Sequence, residues 1–383
     1  MALNQTALSL IMTVAALSGK LLAGDDPQLA TLPLACMFVA MMATTIPASL
    51  LMGRLGRRAG FTLGAALGVG AGLAGAFALW HGWFWLLAVS LWLYGMAASH
   101  ANFYRFAAVE VTTPAFRSRA ISYVLAGGVV AGILGPTLAN YGMDLLAPYT
   151  FVGSFLAIAV LSVLIFPVLF SVRFAAPSAA VMTDSEPARP LWRIMRQPKF
   201  LVAALGGMIG YGSMNLLMVS TPLAMQGCGF DFSDSSTVIV LHIMGMYVPS
   251  FFTGNLVRRF GVLPIMAVGA VVTMVAAAVN LAGITFAHFS LALILLGVGW
   301  NFLFIGGTTL LTETYRPSER AKTQAANDFL VFGTTATSAL SSGLVYQAGG
   351  WNWLNIGVLP ALAIAFAVIL WQLLRRPVAS SAA

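Results

Sequence analysis

Two spaced pairs of soft donors mark the 383-residue chain: Met214-x-x-x-Met218 and His242-x-x-x-Met246. Helical residues four apart lie one above the other, so each pair aims two side chains at one place. Thioether sulfur prefers Cu(I) and imidazole accepts copper, whereas Mg and Ca require oxygen cages. Three thioethers and one neutral imidazole would replace an ion's hydration without deprotonating Met or fixing an opposing charge. With 18 methionines in the chain, roughly one Met-x-x-x-Met and roughly 0.2 His-x-x-x-Met arise by chance. The second pair therefore carries more weight. Met37 and Met41 repeat the first pattern, and methionine is a common filler of apolar helices, so a metal site requires both pairs to meet.

The elements that must position these donors are set by composition. The chain is 60% hydrophobic and 8% charged, against about a quarter charged in soluble domains. It is read as an all-α polytopic membrane protein. Its 38 glycines and 17 prolines sit within apolar stretches, where they permit helix packing and kinks. Cys36 and Cys228 are the only cysteines, too few for a disulfide framework. H-E-x-x-H, a nucleophile elbow, a Gly-Lys-Ser phosphate loop and paired carboxylates within one span are all absent, so no enzyme and no catalytic cofactor are expected. The net charge of +8 forms no patch along a soluble segment, which excludes a nucleic-acid partner. Met1 to Thr6 lacks a basic n-region, so the first helix is expected to be retained.

A helical crossing takes roughly 20 apolar residues, and twelve such runs occur: 6–23, 29–52, 59–80, 83–104, 120–142, 150–172, 200–225, 237–254, 262–284, 288–312, 324–346 and 352–374. With a cytoplasmic N-terminus, every Lys and Arg except Lys20 falls on the inner side, and Asp25, Asp26, Asp144, Asp231 and Asp234 fall on the outer. Both termini are therefore expected in the cytoplasm of a bacterial inner membrane. The seventh and eighth spans run in opposite directions, and both donor pairs lie roughly 7 to 17 Å below the outer boundary.

Other residues leave alternatives open. Met225 and Cys228 continue the seventh-span stripe outward, either as a relay for an ion or as a core filler and a loop-end residue. Cys36, Met37 and Met41 form a helper site or mere packing. Asp328 within the eleventh span couples protons or pairs with an arginine. His100 reads as a packing residue, and Lys20 can snorkel to the interface.

A repeat divides the chain. Glu110, Pro114, Arg117 and Arg119 recur with the same spacing as Glu313, Pro317, Arg320 and Lys322, and Pro47, Gly53, Arg57 and Arg58 correspond to Pro249, Gly254, Arg258 and Arg259. The stretch between, with Pro177, Pro187, Pro190 and Pro198, is basic. The expected domains are a six-helix half over 1–172, a cytoplasmic linker over 173–199, a second six-helix half over 200–374 and a tail over 375–383. This plan resembles the major facilitator superfamily, as do Gly254, Leu256, Arg259 and Gly261, and Gly56, Arg57 and Arg58, although the usual acid is replaced by Gly53 and Arg258. The fold this implies is twelve transmembrane helices in 6+6 pseudo-symmetric halves.

Within that superfamily, the Met214–Met218 and His242–Met246 pairing resembles the CcoA-type copper importers. The resemblance implies Met214, Met218, His242 and Met246 as ligands of copper, Cu(I), carried as substrate from periplasm to cytoplasm. It further implies supply of cbb3-type oxidase assembly and a cytoplasmic copper chaperone as recipient. The expected protein is a monomer in membrane lipid. Two rival expectations are an exporter of hydrophobic drugs or siderophores, in which Met lines an organic pocket, and a transport-dead sensor or assembly partner.

Overall fold

Hydrocarbon cannot pair with a backbone N–H or C=O, so an apolar run crossing it closes its hydrogen bonds along itself. The computed structural model describes residues 1–24, 27–104, 107, 117–172, 188–316 and 319–375, with the backbone alone at 27, 28, 49, 53, 117–126, 320 and 321. Asp25, Asp26, Arg105, Glu110, Pro114, Arg173, Pro177, Pro187, Pro317 and Arg376 lie outside the described residues, as do the side chains of Arg117, Arg119 and Arg320.

The regular elements are helices throughout the described residues. They are α1 (Ala2–Leu22), α2 (Leu32–His81), α3 (Phe84–Ala101), α4 (Arg117–Met143), α5 (Val152–Val163), α6 (Ile165–Ser171), α7 (Leu191–Met195), α8 (Pro198–Gly227), α9 (Phe232–Tyr247), α10 (Ser250–Phe260), α11 (Val262–Ala282), α12 (Phe286–Thr312) and α13 (Arg320–Leu374). A 3-10 turn, Pro27–Thr31, leads into α2. Ten stretches of the described residues are long and apolar enough to cross a membrane. One of them, Lys322–Leu374, bends at Gly350 into two crossings. With α4, of 27 residues, the expected twelve are present.

Two glycines set the elbows after the second and eighth spans. Gly56 has φ 85° and ψ 163°, and Gly261 has φ 90° and ψ 159°. A side chain is strained at such angles. The two elbows fall on opposite sides of the matched arginines, Gly56 just before Arg57 and Arg58 and Gly261 just after Arg258 and Arg259. Small residues elsewhere let backbones touch: a Cβ on Gly72 would run into the Ala159 backbone, and one on Gly95 into the Met37 carbonyl.

The apolar cores are unevenly shared. Around the end of α1 that carries Lys20, one core takes Leu10, Val14, Phe38 and Leu91 from the first six spans together with Val219, Leu223, Ala336 and Ala339 from the last six. At the other end, Met52, Phe61, Ile165 and Leu169 pack with one another, and Phe200, Leu263, Leu310 and Ile369 form their own group. Each of those two cores belongs to one set of six spans among the described residues.

Arg189, ahead of α7, is fastened to the last six spans. Its guanidinium and backbone N–H donate to the fully buried Glu319 carboxylate, with Nη2 at 2.6 Å from Oε2. Nη2 also donates to the Thr314 carbonyl at 3.0 Å. Hydrogen bonds from Arg189 hold the Glu319 carboxyl well below the usual carboxylate range. A carboxylate whose folded value is lowered stabilises the fold fully above its ordinary value of 4.5, and that contribution is lost as pH falls through the folded value. Glu319→Gln should lower the thermal unfolding temperature of the detergent-purified protein, by an amount that is constant between about pH 7 and about pH 5. A deficit that shrinks within that window would place the titration elsewhere.

Candidate functional site

A cavity lies between the two sets of spans, about 820 Å³ counted to its open side. Helix α1 lines it with Asn4, Gln5, Leu8, Ser9 and Met12, the i, i+1, i+4, i+5, i+8 face of one helix. Opposite, α8 contributes Tyr211, Met214, Asn215 and Met218, again one stripe at i, i+3, i+4 and i+7. Phe38 and Met41 come from α2, Asn102 from the end of α3, Met246 and Tyr247 from α9, and Phe332 from α13.

None of the described lining residues carries a charge. Among the described lining residues a charged solute would find no opposing charge to replace its water, at a cost of several kcal/mol by the ~2–7 kcal/mol scale for polar groups and more for ions. The wall suits a neutral molecule with flat apolar faces and hydrogen-bonding edges. Tyr211 is the hub of the ring cluster: its centroid is 5.3 Å from Trp300, 5.3 Å from Phe304 and 6.1 Å from Phe332, all edge-on. Such packing fixes the rings as a rigid platform. Amides surround it. Gln5 Nε2 donates to the Tyr247 hydroxyl at 3.0 Å, tying α1 to α9 across the cavity.

Pro249 interrupts the eighth span between α9 and α10. Asn301 of α12 repairs the break: its Nδ2 donates to the Met246 carbonyl at 2.7 Å and to Ser250 Oγ at 2.6 Å, while Thr253 Oγ1 donates to its Oδ1 at 2.6 Å. This bracket holds Met246 and Tyr247 at the wall.

Of the four expected ligands, Met214, Met218 and Met246 come together on the cavity. His242 is not among the lining residues. It is fully buried, with Nδ1 2.8 Å from the Leu293 carbonyl of α12. Met41 joins the lining, whereas Met37 and Met225 are core residues and Cys228 is exposed. His100 is buried, with Nδ1 2.8 Å from the Met96 carbonyl of its own helix. Asp328 accepts from Asn327 Nδ2 at 3.3 Å. Lys20 Nζ, at the far end, donates to Gln226 Oε1 at 2.7 Å and so joins α1 to α8. The residues sequence reasoning missed are Asn4, Gln5, Asn102, Tyr211, Asn215, Tyr247 and Phe332. Asn215 carried a signal, being an amide inside a crossing and beside Met214.

The family model described as Major Facilitator Superfamily matches residues 1–325 and again 203–383. The chain belongs to the Major Facilitator Superfamily. Membership makes it a multi-pass membrane transporter and not an enzyme. The chain is 36% identical over 381 residues to the riboflavin transporter RfnT of Brucella anthropi, covering 100% of this chain and 96% of that one. It is 32% identical over 352 residues to YddS, an uncharacterized MFS-type transporter of Bacillus subtilis, covering 86% of this chain and 80% of the relative. Among solved structures, a D-xylose–proton symporter superposes with a TM-score of 0.73 over 98% of this chain and 97% of that one. At 14% identity that likeness speaks for the fold alone.

The full-length similarity to a riboflavin transporter overturns the expectation of copper import. The resemblance to CcoA-type importers reduces to the superfamily that both share.

The shared core and the Lys20–Gln226 bond place the closed end of the cavity away from the N-terminus. If Lys20→Cys and Gln226→Cys are joined by a short thiol-to-thiol reagent in a chain lacking Cys36 and Cys228, a cysteine at Met246 should still react with a water-soluble thiol reagent in detergent. Its rate is expected to stay within about two-fold. Loss of labelling would show that the joined end is the entrance.

Proposed function

We propose that the chain carries riboflavin, or a flavin of the same neutral class, into the cell across the bacterial cytoplasmic membrane. The observation that carries this reading is an uncharged wall of rings, amides and thioethers in a chain 36% identical, end to end, to a riboflavin transporter. Riboflavin is a flat tricyclic ring with a hydrogen-bonding edge and a polyhydroxylated tail. Rings such as Tyr211 and Phe332 suit its faces, thioethers adapt to its outline, and amides meet its donors and acceptors.

In this proposal the halves, residues 1–172 and 200–374 joined by a linker over 173–199, rock about the cavity as a monomer embedded in lipid. Both termini lie in the cytoplasm, in keeping with the one-sided placement of Lys and Arg. The state described above is then inward-facing. Solute released to the cytoplasm leaves the halves free to part at the Lys20 end and close at the other.

The test is uptake of labelled riboflavin by a bacterial host that can neither make nor import it. Expression of the chain should restore growth on low riboflavin and saturable uptake; a host that stays unable to take up riboflavin, with the protein present in its membrane, refutes the proposal. Tyr211→Ala and Phe332→Ala each remove a ring face and should raise the KM for uptake by about ten-fold, equivalent to roughly 1.4 kcal/mol. Unchanged KM in both variants would move the solute away from the ring cluster.

A further inference from the structure

We infer that Asn215 is the residue that selects the flavin by its imide N–H, an inference that rests on the riboflavin reading above. Asn215 stands on the cavity face of α8, one turn beyond Tyr211 and nearly one turn before Met218. Its Nδ2 donates to the Thr335 carbonyl at 3.1 Å and to Ser338 Oγ at 3.2 Å, both on α13. These partners settle which way the amide points. A carbonyl can only accept, and the Ser338 hydroxyl spends its own proton on the same Thr335 carbonyl at 2.8 Å, so it too can only accept from Asn215. The nitrogen must face α13.

The oxygen is therefore the end left over. Oδ1 receives no hydrogen bond from the described residues, and it is not among the side-chain atoms sealed inside the protein without a partner, so it opens on the cavity that Asn215 lines. It is an acceptor with fixed direction in an otherwise uncharged wall. A rigid acceptor demands a donor, and leaving it unpaired when a solute expels its water carries a penalty of about 1–3 kcal/mol. Phe332 sits on α13 one turn before Thr335 and Ala336, and its ring is 6.1 Å from that of Tyr211. A planar tricycle laid against those rings brings its edge to Asn215. The flavin edge carries one N–H, at N3, held in the ring plane between two carbonyls, and that geometry matches an acceptor that cannot turn away.

The experiment compares riboflavin with N3-methylriboflavin, which keeps the rings and tail and lacks that donor, as substrates in the same cells. The parent should prefer riboflavin by about 10- to 100-fold, and Asn215→Leu should reduce the preference to near unity. The ratio is internal to each preparation, so it does not depend on how much protein reaches the membrane. Should Asn215→Leu fail to insert, Asn215→Ser, whose oxygen is too short to reach, gives the same readout. Equal acceptance of both flavins by the parent, or a preference retained in the variants, overturns the inference while leaving riboflavin transport standing. Absence of riboflavin uptake by the parent overturns both.

Discussion

Every polar group taken into hydrocarbon must bring its own partner, because the solvent there supplies none. The amide nitrogens of the last six spans show how this is met, although Asn280 Oδ1 is buried without a partner among the described residues. Asn280 donates to Asn355 at 2.9 Å, and Asn355 donates to the Trp351 carbonyl at 2.9 Å. Asn301 restores the carbonyl that the Pro249 break leaves short of a donor, and Asn215 bridges α8 to α13. Neighbouring spans are thereby fastened without ionised groups. The same economy extends to the cavity wall, which reaches the interior of the bundle rich in hydrogen-bonding atoms yet neutral.

The two ends of the bundle answer different needs. Where the halves share a core, the contributions from the last six spans include Ala336 and Ala339 beside Val219 and Leu223. Larger side chains join them, Phe232, Phe332 and Tyr346 packing against the same core, with the Phe232 ring 5.4 Å from that of Phe151. Where each half keeps its own core, Phe61 and Leu169 on one side and Phe200 and Leu310 on the other stay packed whichever way the halves tilt. The Arg189–Glu319 cluster makes the chain entering α7 travel with the last six spans. Halves with cores of their own are what a rocking carrier requires.

Much of this architecture was legible from residue order. The apolar runs announce the crossings because length and polarity leave a backbone in lipid no alternative to helix. Runs 29–52 and 59–80 are two crossings, as hydropathy separates them, and they meet at Gly56, whose φ and ψ are not helical. The spacing of Met214 and Met218 correctly places them on one face, and that face meets the cavity. His242 and Met246 show the limit of spacing. Four residues on a helix are offset by about 40°, and here that offset puts Met246 on the wall while His242 meets the Leu293 carbonyl of α12. Helix α12 comes so close because Gly297 has no side chain to keep the backbones of α9 and α12 apart. Neighbour identity of this kind is a property of packing. The solute-facing amides were missed because a single Asn or Gln in a crossing has no period and gains meaning only when its partners are known.

Among the described residues Lys20 is the one Lys or Arg of the far end, and its described bond is to an amide, not to a carboxylate. An amide oxygen holds an ammonium by a single directional contact that water reproduces at little loss. The latch therefore adds alignment more than strength, and the hold on that doorway comes from oil-like surfaces pressed together. Dissolved salt should leave such a doorway almost indifferent, whereas cooling, which weakens the aversion of apolar surface for water, should let it swing more readily.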